Sequence, residues 1–343
     1  AARDELLGAT VTLAGQSDAA PRLCLDGHVD VVDPGTAPWQ FDPWSGDEVD
    51  GCIRGRGAAD MKGGVIAALH AMAAVRAALG AAPGEVVLYG VSSEEDGGLG
   101  TFAALERDDR FDACLIPEPT GFDIVCAQAG ALTFEGVVPG VSAHAALRLE
   151  GESAIDRYVP IHAALHEHER RVNANVDHPL MRELELPYPL LVGRLEAGTW
   201  SSRVPDRLRF EGRLGVQVDQ TPGEARGAFE AVVRQACPDA ELGWTGGQFA
   251  PAETPLDHPF PQLVASVIEE ETDRRPRFIG SSYGSDMRLF CERGIPSVMA
   301  GTAGIELAHA VDERVSLSEV VALARSIARL IVGFGELASA ASS

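Results

Sequence analysis

The chain has 343 residues, 45% of them hydrophobic, enough to bury one large core or, more plausibly for this length, two. Its formal charge of −23 excludes partners that need a basic surface, so neither nucleic acid nor an anionic membrane is expected. No run of about 18 apolar residues reads as a membrane span, and the opening AARDELLGAT lacks the basic start and apolar stretch of a signal peptide.

Short apolar runs alternate with helical stretches, the pattern of an α/β fold with a mostly parallel central sheet. Arg22–Asp26 (RLCLD) reads as a buried strand ending at Gly27. Residues 60–79, rich in Ala, Leu and Val, read as a helix with Gly80 where a C-cap would fall. Val86–Ser92 and Asp112–Ile116 are further strands. From 130 to 243 the texture changes. Residues 207–218 alternate, with Leu208, Phe210, Leu214, Val216 and Val218 on one face, the period of a half-buried antiparallel strand. Ser153–Arg171 and Gly223–Ala236 have helical patterns, so this stretch reads as an inserted α+β domain. The first texture then returns, with a strand at Pro296–Ala300 and a helix at Leu317–Leu330. The expected division is therefore 1–129 with 244–343, and 130–243.

The residues that carry chemistry fall at predicted strand ends, where open α/β sheets build their sites. His28 and Asp30 follow the first strand, Asp60 precedes the first helix, Glu94 and Glu95 follow Val86–Ser92, Glu118 follows Asp112–Ile116, and His309 lies beyond Pro296–Ala300. Histidine mixed with carboxylate suits zinc or a similar borderline cation better than calcium, which takes oxygen alone. One such residue in a loop is ordinarily a solvated side chain; five strand ends presenting them together are not.

LDGHVDVV, GRGAADMKGG, SSEEDGG, IPEPT and the late AHAVDE resemble, in order, the motifs of one di-zinc metallopeptidase family. It includes acetylornithine deacetylase, succinyl-diaminopimelate desuccinylase, the aminoacylases and carboxypeptidase G. The resemblance implies a zinc-peptidase-like catalytic domain (1–129 and 244–343) carrying an inserted lid and dimerisation domain (130–243). It also implies two Zn²⁺ per chain, with Co²⁺ or Mn²⁺ as substitutes. Asp60 would bridge the metals, Glu95 and His309 completing one site and His28 and Glu118 the other. Asp30 would orient His28, and Glu94 would be the general base toward water. His144, in GVSAH, matches the lid histidine that holds the substrate carbonyl oxygen, and Lys62 takes a structural part at the helix start.

Two segments bear on substrate. Arg288, in SDMR, resembles an arginine able to meet a substrate carboxylate bidentately. Ser202 and Arg203, in SSRVP, stand where desuccinylases carry Asn and an apolar residue, so the acyl preference is expected to differ from theirs. His162, His166 and His168 read as an exposed helical face, since HEHER is not HExxH. The expected reaction is metal-dependent hydrolysis of the amide bond of a small N-acyl amino acid, nearest in type to acetylornithine deacetylase. The alternatives are a dipeptidase, carboxypeptidase or deformylase on the same site, or a non-catalytic binding or dimerisation module. A nucleotide or redox enzyme is set aside, because no GxGxxG follows a strand and GxxxxGK[ST] is absent. Six cysteines without a CxxC pair point to buried thiols and a cytoplasmic location. A homodimer through the lid is expected. Because the family ordinarily has a helix and a strand before its GHxD motif, the chain is expected to begin inside a longer protein.

Overall fold

The computed structural model describes residues 8–17 and 20–341. In chain order its strands and helices begin with β1 (Gly8–Leu13), β2 (Arg22–His28), β3 (Glu48–Val49), β4 (Cys52–Arg54), α1 (Gly63–Leu79), β5 (Glu85–Val91), α2 (Leu99–Leu105), β6 (Ala113–Ile116) and β7 (Ile124–Gln128). There follow β8 (Gly130–Pro139), α3 (Ala154–Asn173), β9 (Leu190–Ala197), β10 (Arg207–Val216), α4 (Pro222–Ala236), β11 (Glu241–Phe249) and β12 (Ala252–Glu253). The chain closes with α5 (Pro259–Thr272), β13 (Phe278–Ser281), α6 (Met287–Cys291), β14 (Ser297–Met299), β15 (Arg314–Ser316) and α7 (Leu317–Ala341).

Two compact units result. One comprises residues 1–126, 253–279 and 285–343, the other residues 127–252 and 280–284. The main sheet of the first unit runs β1-β5-β2-β6-β14-β7-β12. It is mixed. Strands β5, β2, β6 and β14 are parallel, while β1 pairs with β5 and β7 with β14 in the antiparallel sense. The parallel centre matches the pattern of the sequence; the antiparallel flanks do not, because nothing in an isolated apolar run records the direction of its neighbour.

The last helix runs to Ala341, past the expected Leu330; two other boundaries differ from expectation for local reasons. Strand β2 does not stop at Gly27 but runs through it to His28. Gly27 is there because a Cβ would lie 2.8 Å from Val65 and 3.0 Å from Met61, so the glycine serves close approach and not chain reversal. Helix α1 begins at Gly63, not at Asp60, whose φ/ψ of −115°/96° is not helical. Its far end is as expected, with Gly80 at φ 77° donating its N–H to the Arg76 carbonyl.

The segment Ala58–Leu79 is long and apolar enough to cross a membrane by length and composition, which corrects the expectation that none was. In the fold it is a core segment. Ala67, Ala68, Ala71, Met72 and Val75 are buried, and α1 packs against α7, β2 and β5.

The second unit is a four-stranded antiparallel sheet, β11-β8-β10-β9, with α3 and α4 packed together. Leu208, Phe210, Leu214 and Val216 of β10 share its buried cluster with Phe134, Tyr158 and Phe229. The Phe134 and Phe229 ring centroids are 4.5 Å apart. Val218 falls beyond the strand end. The sheet extends to Phe249, past the expected boundary at 243, because β11 resumes pairing with β8 at Gln248 after an irregularity. Helix α4 is fixed at its start by a reciprocal cap between Thr221 and Glu224. Of the three histidines on α3, His162 and His166 are exposed as expected; His168 is buried and accepts from Arg171.

Candidate metal centre

Because β5, β2, β6 and β14 are parallel, their carboxyl ends lie along one edge of the sheet, and each leads into a candidate ligand. His28 is the last residue of β2, paired with Val91 of β5. Glu94 and Glu95 come directly after β5, Glu118 directly after β6, and His309 in the connection that follows β14.

The side chains converge. His28 Nε2 lies 3.1 Å from Asp60 Oδ1 and 3.9 Å from Glu118 Oε1. His309 Nε2 lies 3.4 Å from Asp60 Oδ2 and 3.0 Å from Glu95 Oε2. Each oxygen of Asp60 therefore faces a different histidine. On the other side of the His28 ring, Nδ1 is 3.0 Å from the Asp30 carbonyl and 3.5 Å from its carboxylate. That leaves Nε2 directed at Asp60. Asp30 Oδ2 also accepts the Glu95 N–H at 3.2 Å, tying together the turns that follow β2 and β5.

The donor set fits metal. His28, Glu94 and Glu118 offer one atom each within 4.8 Å of one another, as do His28, Asp60 and Glu95. Glu94, Glu118 and Asp60 are all buried, and a concentration of negative charge out of water is costly unless cations neutralise it. The proton affinities of these groups reflect that cost. Burial, reinforced by Asp286 and Glu118, pushes Glu94 well above the usual carboxylate range. Burial and then Asp60 push Glu118 up to about 8. Burial works against ionising Asp60, but His28 and His309 outweigh it and hold the group low. Asp60 and then Glu95 raise His309 to about 10. Burial disfavours a charged His28, yet Asp30 and Asp60 together lift it well above its ordinary value.

The loop carrying Glu94 and Glu95 is closed by its own backbone, Gly97 donating to the Glu94 carbonyl and Gly98 to that of Ser93. Gly98 has φ 76°, and a Cβ there would sit 2.1 Å from Asp286 Oδ1, so no other residue fits. Arg288 Nη2 donates to the Gly97 carbonyl at 2.6 Å. Arg288, expected to meet a substrate carboxylate, therefore also braces this loop. Thr101, in the helix that follows, lies 2.6 Å from Asp286 and 3.2 Å from Asp26. Asp26 reads in the sequence as an ordinary charge at the end of an apolar run, and Asp286 enters there only as part of SDMR.

His144, Ser202 and Arg203 lie in the second unit. The structure brings them together: His144 pairs with Arg203 across an antiparallel bridge, and Ala145 donates to the Ser202 carbonyl. The Arg203 guanidinium reaches Ser142 Oγ at 2.6 Å and Asp206 at 2.8 Å. His144 is exposed, and its Nδ1 accepts the Ala146 N–H at 3.1 Å, which puts the proton of a neutral ring on Nε2.

The model of peptidase family M20/M25/M40 matches residues 24–333. The chain belongs to that family. Among curated relatives, the succinyl-diaminopimelate desuccinylase of Methylobacterium nodulans is 30% identical over 91% of this chain and 80% of its own length. The desuccinylase of Paracoccus denitrificans is 32% identical over 89% and 81%. Among solved structures, the M20 family metallo-carboxypeptidase Sso-CP2 of Sulfolobus solfataricus superposes with a TM-score of 0.80 at 17% identity, covering 95% of this chain and 87% of that one. The protein is accordingly an M20 enzyme, a metal-dependent hydrolase of the amide or peptide class.

Proposed function

We propose that this M20 enzyme hydrolyses the amide bond of a small N-acylated amino acid, with His28, Asp60, Glu95, Glu118 and His309 holding two zinc ions. The observation that carries the reading is Asp60, whose two oxygens each face a different histidine, as a carboxylate shared between two ions must. Cobalt or manganese would be held by the same donors. Bound there, such ions supply Lewis acidity toward a carbonyl oxygen and toward water.

The remaining work falls to the chain's own side chains. Glu94, buried beside His28 and Glu118, takes the proton from the attacking water and returns it to the nitrogen that leaves. Asp30 keeps the His28 ring in the orientation that aims Nε2 at Asp60. His144, with its proton on Nε2, is the donor for the substrate's carbonyl oxygen as negative charge develops on it. Ser202 and Arg203, joined to the His144 segment, take part in choosing the acyl group.

The names of the curated relatives favour a succinyl group as the first to test, although Ser202 and Arg203 depart from the residues expected of desuccinylases. The lid and dimerisation role belongs to the second unit in this reading. Its edge strand β9 leaves Leu191 and Leu195 exposed, a surface suited to a second copy of the chain. The six free cysteines agree with a reducing, cytoplasmic setting.

Assay of N-succinyl, N-acetyl and N-formyl amino acids beside dipeptides, each with Zn²⁺ or Co²⁺, tests the proposal. Cleavage of at least one N-acyl series in preference to dipeptides is expected. Cleavage of dipeptides alone would replace it with a peptidase.

A further inference from the structure

The Glu313 carboxylate is wholly buried, and all four of its hydrogen bonds go to the loop that carries Asp60. Oε1 accepts the N–H groups of Ala59 and Asp60 at 2.9 and 3.0 Å. Oε2 accepts the N–H of Gly57 at 3.0 Å and the Arg56 guanidinium at 2.7 Å. The Glu313 carbonyl accepts the Gly55 N–H at 2.9 Å as well.

These bonds answer a specific need. Ala59 and Asp60 come just after Gly57, whose φ of 83° is left-handed, so no helical turn precedes them to receive their N–H groups, and buried amides without a partner are costly. A carboxylate has lone pairs for four donors and none of its own to clash with them. A glutamine of the same size would turn an NH₂ toward two of the four. Glu313 also follows His309 in the same short connection, so one side chain binds the backbone of one proposed ligand while standing in the loop of another.

We infer that Glu313 is a positioning residue for the metal centre, fixing Asp60 relative to His309 through the backbone of residues 56–60. The inference rests on the proposed function only in taking Asp60 and His309 as ligands. Outer partners that orient ligands affect metal affinity by about 10- to 100-fold when removed.

The test uses the full chain and measures Zn²⁺ and Co²⁺ dissociation constants by chelator competition, with thermal unfolding of the metal-free form alongside. Glu313→Gln is expected to weaken metal binding by about 10- to 100-fold. Its kcat should fall at limiting Co²⁺ and recover as Co²⁺ is raised, with KM unchanged. Arg56→Gln leaves the carboxylate on its three N–H donors, so it should lower the unfolding temperature while metal affinity stays near that of the unaltered chain. Should Glu313→Gln fail to show a cooperative transition, Glu313→Asp, charged but one methylene short, carries the same expectation of weakened binding. Unchanged affinity in the folded Glu313 variant would overturn the inference, and so would an equal loss in Arg56→Gln, which would mark general loosening. A wild-type chain that binds neither ion would instead remove the proposed metal centre, a failure visible before any variant is compared.

Discussion

Glu94→Gln separates the base from the ligands. Glu94 is only 8% exposed and lies in the same donor group as His28 and Glu118, so geometry alone would let it serve as either. Glutamine preserves its volume and removes both the charge and the basicity. General-base catalysis is worth about 10²- to 10⁴-fold. At about 1.36 kcal/mol per decade that is about 2.7–5.4 kcal/mol of transition-state stabilisation. Metal should stay, since Asp60, Glu95, Glu118 and the two histidines are untouched. The metal-free variant should be no less stable than the parent, because burial and its acidic neighbours make Glu94 costly to ionise. The assay is kcat and KM on the preferred N-acyl substrate, with metal content measured on the same sample. A variant that keeps its metal and more than about a tenth of its kcat would remove Glu94 as the base. One that loses metal along with activity would make it a ligand.

Two further outcomes follow from particular contacts. Arg288→Lys keeps the charge but loses the planar fork that reaches the Gly97 carbonyl, so kcat should fall with KM little altered, alike for substrates with and without an α-carboxylate. A rise in KM confined to carboxylate-bearing substrates would instead assign Arg288 to the substrate carboxylate, as its place in SDMR leads one to expect. Asp108 accepts both Nη atoms of Arg22 and is held down to about 2, chiefly by that contact. Its folded value is below the unfolded one of about 3.9, so its contribution is complete above about pH 4 and is lost as pH falls toward 2. Urea unfolding should show a gap between the parent and Asp108→Asn that is constant from about pH 5 to 7, falls to about half near pH 3 and closes toward pH 2. A gap that widens on acidification would contradict it.

The candidate site was legible because candidate ligands at the carboxyl ends of parallel strands leave a local trace: an apolar run followed closely by His, Asp or Glu. His28, Glu94, Glu95 and Glu118 each carry it. What escaped was non-local. Residues 60–62 read as the start of α1, yet Asp60 and Met61 are not helical, and Glu313, from the far end of the chain, takes the N–H groups of Ala59 and Asp60. Arg288 reads as an arginine able to meet a substrate carboxylate, and its second contact, to the Gly97 carbonyl, appears only in the fold. Gly27 reads as a stop and is instead a gap for Met61 and Val65. In the second unit the even-numbered face of β10 was plain from its alternation. The direction of β1 and β7 was not, because antiparallel pairing is decided by partners that sequence spacing does not name.

The central claim is a two-metal amide hydrolase, and elemental analysis of protein prepared without chelator tests it most directly. The account predicts two zinc-like ions per chain and amide hydrolysis that disappears on their removal and returns on their addition. Less than one ion per chain, with hydrolysis undiminished by chelator, would contradict it.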